Sequence, residues 1–266
     1  MISIVIVNYK NPALLKLCLG SIFKSLLPDT KFEILVVDVA SSVETRNVAL
    51  EDFEGIKFLP FQRNIGYTQG VNEGLRASVG DVVLIMNSDI VPLKGSIERL
   101  ANYLHENTSV GMTGPCLLNF DGSIQDSTFR FYDISTVIYR RSFLGSFNFA
   151  KKKLDTFLMK DADRNSTYSA DWLMGSAYMV TRKAINMVGP MDKNFFMYMS
   201  DVDWAKRFWE NGYKIIYYPD SKMYHYHRRA SKGPFDIFDV LFRKESRWHL
   251  IDALRYFKKY GINTSK

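Results

Sequence analysis

The chain has 266 residues, enough for one large α/β domain or two small ones. An apolar fraction of 47% with 14% aromatics excludes a disordered or low-complexity protein. The formal charge of +7 favours anionic partners such as nucleotide phosphates or an anionic membrane surface, whereas no recognised motif speaks for nucleic acid.

Ile2 to Val7 is a β-branched run that predicts a buried central strand, closed by Asn8-Tyr9-Lys10. Asn11-Pro12 gives an N-cap followed by proline at the first helical position, and Leu14, Leu15, Cys18, Ile22 and Leu26 continue at helical spacing to about Leu27. Phe32 to Val37 is a second buried strand, ended by Asp38. This strand–helix–strand order with polar strand ends opens a nucleotide-binding doubly wound sheet. Asp38 is placed either to accept hydrogen bonds from a base or ribose, or to cap the next helix.

A short strand, Ile56 to Pro60, precedes Arg63-Asn64-Ile65-Gly66 and the spaced residues Gly70, Asn72 and Gly74. The glycines require close backbone approach, to a ligand or to a neighbouring helix. The stretch is neither a dinucleotide fingerprint nor a P-loop. Arg63 offers its fork to a phosphate.

Val82 to Met86 then forms a buried strand that stops at Asn87-Ser88-Asp89, with Pro92 preventing its extension. Ligands collect beyond the carboxyl ends of such strands. A carboxylate there can hold Mg²⁺ or Mn²⁺ by one or two oxygens and leave positions for a diphosphate. The plainer alternative is an Asx-turn.

A helix over Ile97–Glu106, a strand over Val110–Leu118 and an Asp121-Gly122 hairpin turn follow. From Ser127 to Asn165 the periodicity fades into a basic, aromatic-rich segment, read as a mobile lid, a membrane-surface element or a solvated insertion. Asp171 to Val180 is extended around Gly175-Ser176-Ala177, and Asp201 and Asp203 open a helix running to Trp209. Those carboxylates either complement the helix dipole or serve as a general base. Lys214 to Tyr218 is a strand, followed by His225 and His227 on one side of an extended segment, placed to complete a metal shell or contact phosphate; without Cys or Glu partners they do not read as a zinc site. Phe235 to Tyr260 is read as a basic helix with Trp248, Leu250, Ile251, Leu254 and Phe257 on its apolar side.

Cys18 and Cys116 have no metal or redox spacing and read as core side chains in a reducing, cytoplasmic setting. No apolar run approaches the roughly 20 residues of a membrane span and no leader precedes Met1, so the expectation is a soluble or peripheral protein.

Taken together, Ile2–Asn8, Val36-Val37-Asp38, the Asn64/Gly66/Gly70/Asn72/Gly74 pattern, Asn87-x-Asp89, Trp172-x-x-Gly175, Ser200-Asp201-Val202-Asp203 and His225 resemble inverting family-two glycosyltransferases. The similarity is to the rhamnosyltransferase-like branch acting on bacterial surface polysaccharides, over nearly the whole chain. It implies a GT-A fold: a Rossmann-like, mostly parallel sheet flanked by helices, with a C-terminal helical extension. Residues 1–120 would form the nucleotide-sugar half, 121–230 the acceptor and catalytic half, and 231–266 a basic amphipathic helical segment.

By the same resemblance, Asp38 recognises the base, while Asn8, Arg63, Asn64, Gly66, Asn72, Asn87 and Asp89 belong to the donor side. Asp89 and His225 hold the divalent cation, Asp201 is the general base, and Trp172, Gly175 and Asp203 serve the acceptor. The implied partners are a nucleoside-diphosphate sugar, with dTDP-rhamnose as the first guess, and a saccharide or lipid-linked saccharide at the inner face of the cytoplasmic membrane. Asn87 stands where the family often has aspartate, and Ser200 where it usually has glutamate. Two other classes fit parts of the sequence: a nucleotide-binding module without catalysis, and a peripheral membrane scaffold.

Overall fold

The structure is a computed structural model that describes residues 1–140, 142–226, 243–262 and 264; His227 and the expected helix before Arg243 lie outside them. The first strand, β1 (Ile2–Asn8), is buried along its whole length. Ile4 and Ile6 enter one apolar core and Val5 and Val7 the other, so the continuous apolar run serves a strand covered on both faces.

Helix α1 (Pro12–Ser25) is capped as expected, Leu14 N donating to Asn11 Oδ1 at 3.2 Å. It leads to β2 (Phe32–Asp38), α2 (Val43–Leu50), β3 (Ile56–Pro60), α3 (Gly66–Ala77) and β4 (Val82–Asn87). The N-cap of α2 is Ser42, whose Oγ accepts from Thr45 N at 3.3 Å, so Asp38 does not serve as that cap. Strands β3, β2, β1 and β4 pair in parallel in that order.

Next come β5 (Ile90–Pro92), α4 (Ser96–Glu106), β6 (Val110–Leu118) and the short β7 (Thr128–Phe129). The segment of faded periodicity contains α5 (Ile134–Arg140), a 3₁₀ turn at Phe143–Ser146 and α6 (Asn148–Phe157). The chain continues through β8 (Tyr168–Ser169), β9 (Trp172–Leu173), β10 (Ala177–Thr181), α7 (Arg182–Val188), α8 (Ser200–Glu210), β11 (Lys214–His225) and α9 (Lys244–Tyr260).

The main sheet has nine strands among the described residues, in the order β3-β2-β1-β4-β10-β6-β11-β5 with β8 on β11. It is mixed: β10 runs antiparallel to both β4 and β6, and β5 and β8 are antiparallel to β11. β11 runs well past Tyr218 because Pro219 sits in a register shift between Tyr218 and Lys222, beyond which pairing with β6 resumes. A proline in a strand is tolerated at such an irregularity, where no ladder donor is needed.

One face of the sheet packs on α1 and α4 through Leu15, Leu19, Ile22, Leu100 and Leu104. The other packs on α3, α8 and α9 through Val71, Leu75, Trp204, Phe208 and Tyr256. The buried side of α9 is Ser246, Asp252, Ala253 and Tyr256, whereas Leu250, Ile251 and Leu254 are exposed. That differs from the apolar side expected from the sequence, because a polar anchor at Asp252 fixes the rotation of the helix, as shown below.

Gly70 and Gly74 of α3 lie against β1, β2 and the residue after β2, not against the neighbouring helix expected. A Cβ at Gly74 would lie 2.2 Å from Val5 Cγ1, and one at Gly70 would lie 2.7 Å from Val39 Cγ1. Val5 is fully buried in β1 and has no free rotamer to retreat into. Gly74→Ala is therefore expected to destabilise the fold by about 1–3 kcal/mol, read as a lower urea midpoint. An unchanged midpoint would contradict the close helix–sheet contact.

Candidate active site

The last residues of β4 and the first of β10 meet across an antiparallel pair, Met86 opposite Ala177. Asn87 N donates to Ser176 O at 2.9 Å just beyond it. Asn87-Ser88-Asp89 and Met174-Gly175-Ser176 thus lie side by side, and both line a cavity of about 740 Å³. Asn64 and Tyr67 from the start of α3, Asp201 from α8, His225 from β11 and Trp172 from β9 complete its polar and aromatic lining.

Asp89 Oδ1 is buried and has no hydrogen-bond partner among the described residues. Burial pushes the Asp89 carboxyl up to about 6, against a lowering contribution from its own backbone N–H. His225 Nε2 stands 3.8 Å from that oxygen. Gln125 fixes the ring: its Nε2 donates to His225 O at 2.9 Å, and its Oε1 faces His225 Nδ1 at 2.8 Å. The ring so held faces Asp89 with Nε2. A carboxylate oxygen without a hydrogen-bond partner beside an imidazole nitrogen suits one divalent cation. Among the described residues no three His, Cys, Asp or Glu side chains come together, so a cation here would complete its shell from substrate oxygens and water.

Asp201 is held from two sides. Gly175 N donates to Oδ2 at 3.1 Å and Val202 N to Oδ1 at 3.0 Å. Burial pushes its carboxyl up to about 6 in spite of these donors. Tyr67 OH donates to Gly175 O at 2.6 Å and so fixes the peptide that donates to Asp201. A Cβ on Gly175 would lie 3.1 Å from Asp201 Oδ2, which explains a residue without a side chain there.

The turn that delivers Asp201 is itself anchored. Met199 adopts a left-handed φ of 61°, uncommon for a non-glycine residue, at the N-cap of α8. Asp252 of α9, fully buried, accepts from the backbone N–H groups of Phe196, Met197 and Tyr198, at 3.1, 3.1 and 3.0 Å to Oδ2. Met197 and Tyr198 line the cavity.

The other residues singled out from the sequence divide. Asn64 lines the cavity while its Oδ1 accepts from Gly66 N at 2.9 Å. Gly66 itself does not line the cavity; its φ is +79° and a Cβ would lie 2.4 Å from Phe196 O. Trp172 forms part of the lining, with Nε1 donating to Arg130 O at 2.8 Å and its ring stacked on Phe129 at 4.3 Å.

Asn8 and Asp38 sit behind the lining residues Val7 and Val39, both fully buried, with Asn8 Nδ2 donating to Asp38 Oδ1 at 2.9 Å. Burial raises the Asp38 carboxyl above the usual range against the lowering effect of Asn8, Ser41, the Ser42 backbone and Thr45, and Oδ2 has no donor at hydrogen-bond distance and angle among the described residues. Three residues stand apart from the cavity. Arg63 is exposed. Asn72 exchanges both amide bonds with the Met191 backbone at 2.9 Å. Asp203 is buried between Arg207, Lys259 and Tyr260 and ties α8 to α9.

Tyr67, Gln125 and Asp252 escaped the sequence reading. Tyr67 and Gln125 carry no signal in an unaligned sequence. Asp252 is an acidic residue beside apolar neighbours in a helix, which is a weak hint of a buried anchor.

The fold is that of solved GT-A glycosyltransferases. The crystal structure of GalNAc-T7 with UDP, GalNAc and Mn²⁺ superposes with a TM-score of 0.63 at 15% identity, covering 100% of this chain and 55% of that one. The chain thus spans little more than half the length of that solved neighbour. The family described as Glycosyl transferase family 2 matches residues 3–164, and the chain belongs to it: it is a glycosyltransferase. It is similar to N-acetylglucosaminyl-diphospho-decaprenol L-rhamnosyltransferase of Mycobacterium tuberculosis, 27% identical over 246 residues covering 88% of this chain and 78% of the relative. It is also similar to the rhamnosyltransferase WbbL of Escherichia coli, 23% identical over 274 residues covering 100% and 96%.

The anchoring by Asp252 has a measurable consequence. Asp252→Ala strips three backbone donors of their acceptor and is expected to cost about 1–3 kcal/mol of stability. Amide exchange at Phe196, Met197 and Tyr198 should quicken in the variant; unchanged protection there would contradict the anchoring role.

Proposed function

We propose that the enzyme transfers a hexose from a nucleoside-diphosphate donor to a saccharide hydroxyl with inversion at the anomeric carbon, Asp201 acting as general base. The observation that carries this reading is one cavity lined by two carboxylates held in different ways. Asp89 keeps an oxygen without a hydrogen-bond partner beside His225, while Asp201 is aimed by Gly175 N and Val202 N. The first suits the leaving diphosphate, the second an incoming hydroxyl.

Departure of the diphosphate builds negative charge while the sugar passes through an oxocarbenium-like transition state. A bound Mg²⁺ or Mn²⁺, held by Asp89 and His225, would neutralise that leaving group as a Lewis acid. The chain's own residues orient the partners. Asn64 and Asn87 line the donor side, and Trp172 offers an aromatic wall to an acceptor sugar. Asp38, with its unpaired Oδ2, is the acceptor for a base N–H, provided the segment after Val39 yields to expose it. Asp201 takes the acceptor proton as the hydroxyl attacks from the face opposite the leaving group, which inverts the configuration. A carboxylate near 6 is mostly ionised at neutral pH yet basic enough to accept that proton.

The similarity to two rhamnosyltransferases makes dTDP-rhamnose the first donor to try. The decaprenol-linked substrate in the name of the mycobacterial relative supports a lipid-linked acceptor. No helix among the described residues is long and apolar enough to cross a membrane. A lipid-linked acceptor would then be reached by an enzyme peripheral to the inner face of the cytoplasmic membrane. In this reading residues 1–120 serve the donor, 121–230 the acceptor and the proton transfer, and 231–266 form a basic extension that includes α9.

Two measurements on one variant test the base. Asp201→Asn should lower kcat by roughly 10²–10⁴ while nucleotide-sugar binding stays within a factor of two or so. In the wild type the carboxyl protonates as pH falls, so the rate should drop on a limb near pH 6 that the variant lacks. The sign for stability is opposite: with the folded value above the ordinary one, the contribution to folding is full at low pH and lost as pH rises through about 6. A variant with near-normal kcat would remove Asp201 from the mechanism.

A further inference from the structure

We propose that the helical hairpin formed by α5, the 3₁₀ turn and α6 is the surface on which the enzyme rests on an anionic lipid bilayer. The proposal rests on the transfer reading only in taking the acceptor to be lipid-linked. Residues 134–157 carry five basic side chains against a single acidic one. At the hairpin's outer end Phe143 is 75% exposed, Phe149 61% and Phe147 49%. These rings form one cluster: Phe147 stacks on Phe149 at 5.9 Å, Phe143 meets Phe147 at 6.4 Å, and Tyr139 meets Phe149 at 5.7 Å. Isolated exposed apolar side chains are ordinary, but a contiguous cluster of open phenylalanines marks an interaction surface.

The charges around that cluster name its occupant. Lys151 and Lys152 are exposed one turn into α6, and no ion pair with either is present among the described residues. Lys153 instead pairs with Asp133 at 2.7 Å. Aromatic rings flanked by lysines fit the headgroup boundary of an anionic bilayer: rings enter the acyl margin while ammonium groups reach lipid phosphates.

The inner side of the same hairpin supports the placement. Val137 and Arg140 line the cavity, and Arg140 lies over the Phe157 ring at 5.1 Å and donates to Tyr132 OH at 2.5 Å. One hairpin therefore carries both a wall of the cavity and the open phenylalanines. Seating those rings in a bilayer brings the cavity to where a lipid-linked saccharide diphosphate emerges, with Arg140 at the entrance.

The test is cosedimentation of the full chain with vesicles of equal parts phosphatidylglycerol and phosphatidylcholine, and with phosphatidylcholine alone. The wild type should bind the anionic vesicles more tightly, less so at high salt. Phe143→Ser/Phe147→Ser/Phe149→Ser and, separately, Lys151→Glu/Lys152→Glu should each weaken binding about tenfold or more. Leu250→Ser/Leu254→Ser on the exposed side of α9 should leave it nearly unchanged, and far-UV circular dichroism should match in all four proteins.

Absence of wild-type binding, equal binding by the hairpin variants, or loss only in the α9 variant would overturn the proposal. So would sedimentation velocity showing a dimer that the phenylalanine variant dissolves, since the cluster would then cover a second copy. Vesicle binding is read without nucleotide sugar, and donor binding by the hairpin variants is read without vesicles. A failure of the transferase reading therefore shows separately.

Discussion

The site depends on one reversal of strand direction. Four strands, β3-β2-β1-β4, run in parallel and bring their carboxyl ends to one edge. β10 then enters beside β4 in the opposite sense, so its amino end lies against the carboxyl end of β4. Had β10 been parallel, the turn at Gly175 would lie at the far edge of the sheet. Because it is antiparallel, the peptide that holds Asp201 sits next to the strand end that carries Asp89. The hydrogen bond from Asn87 N to Ser176 O closes the junction.

From that junction outward, the common feature is desolvated carboxylates. Asp89, Asp38 and Asp201 are all drawn above the usual carboxylate range by burial. Desolvation of this kind is unfavourable for the apo protein unless a ligand compensates it, which is the common condition of functional carboxylates. Buried carboxylates with a structural task look different. Asp252 accepts three backbone donors and Asp203 is surrounded by Arg207, Lys259 and Tyr260. Asp203 ties α8 to α9 and Asp252 ties α9 to the turn before α8, so the last described helix acts as a strut behind the turn that aims Asp201.

Much of the amino-terminal half was readable from the sequence because its signals are local. The β-branched run at Ile2, the Asn11-Pro12 cap and the abrupt stop after Met86 each fix an element without reference to distant residues. The carboxyl-terminal half was less readable because its organisation is long-range. β7 and β9 are two residues long and exist through their pairing with each other. β11 continues past Pro219 because β6 is there to pair with it. Asn72 and Asp203, which resemble the family's polar site residues in place, are spent on the Met191 backbone and on α9. The glycines of α3 showed that something approaches closely, and the residues that do so are Val5, Val39 and Phe196.

In the proposed reading, the cavity at the β4–β10 junction binds a nucleoside-diphosphate sugar through a divalent cation at Asp89. Calorimetric titration of dTDP-rhamnose and of common UDP- and GDP-sugars, in Mn²⁺ and then in chelator, addresses it directly. The account predicts saturable binding of one donor that disappears in chelator and returns when Mn²⁺ is restored. Binding of no donor by a folded protein, or equal binding with and without metal, would contradict it.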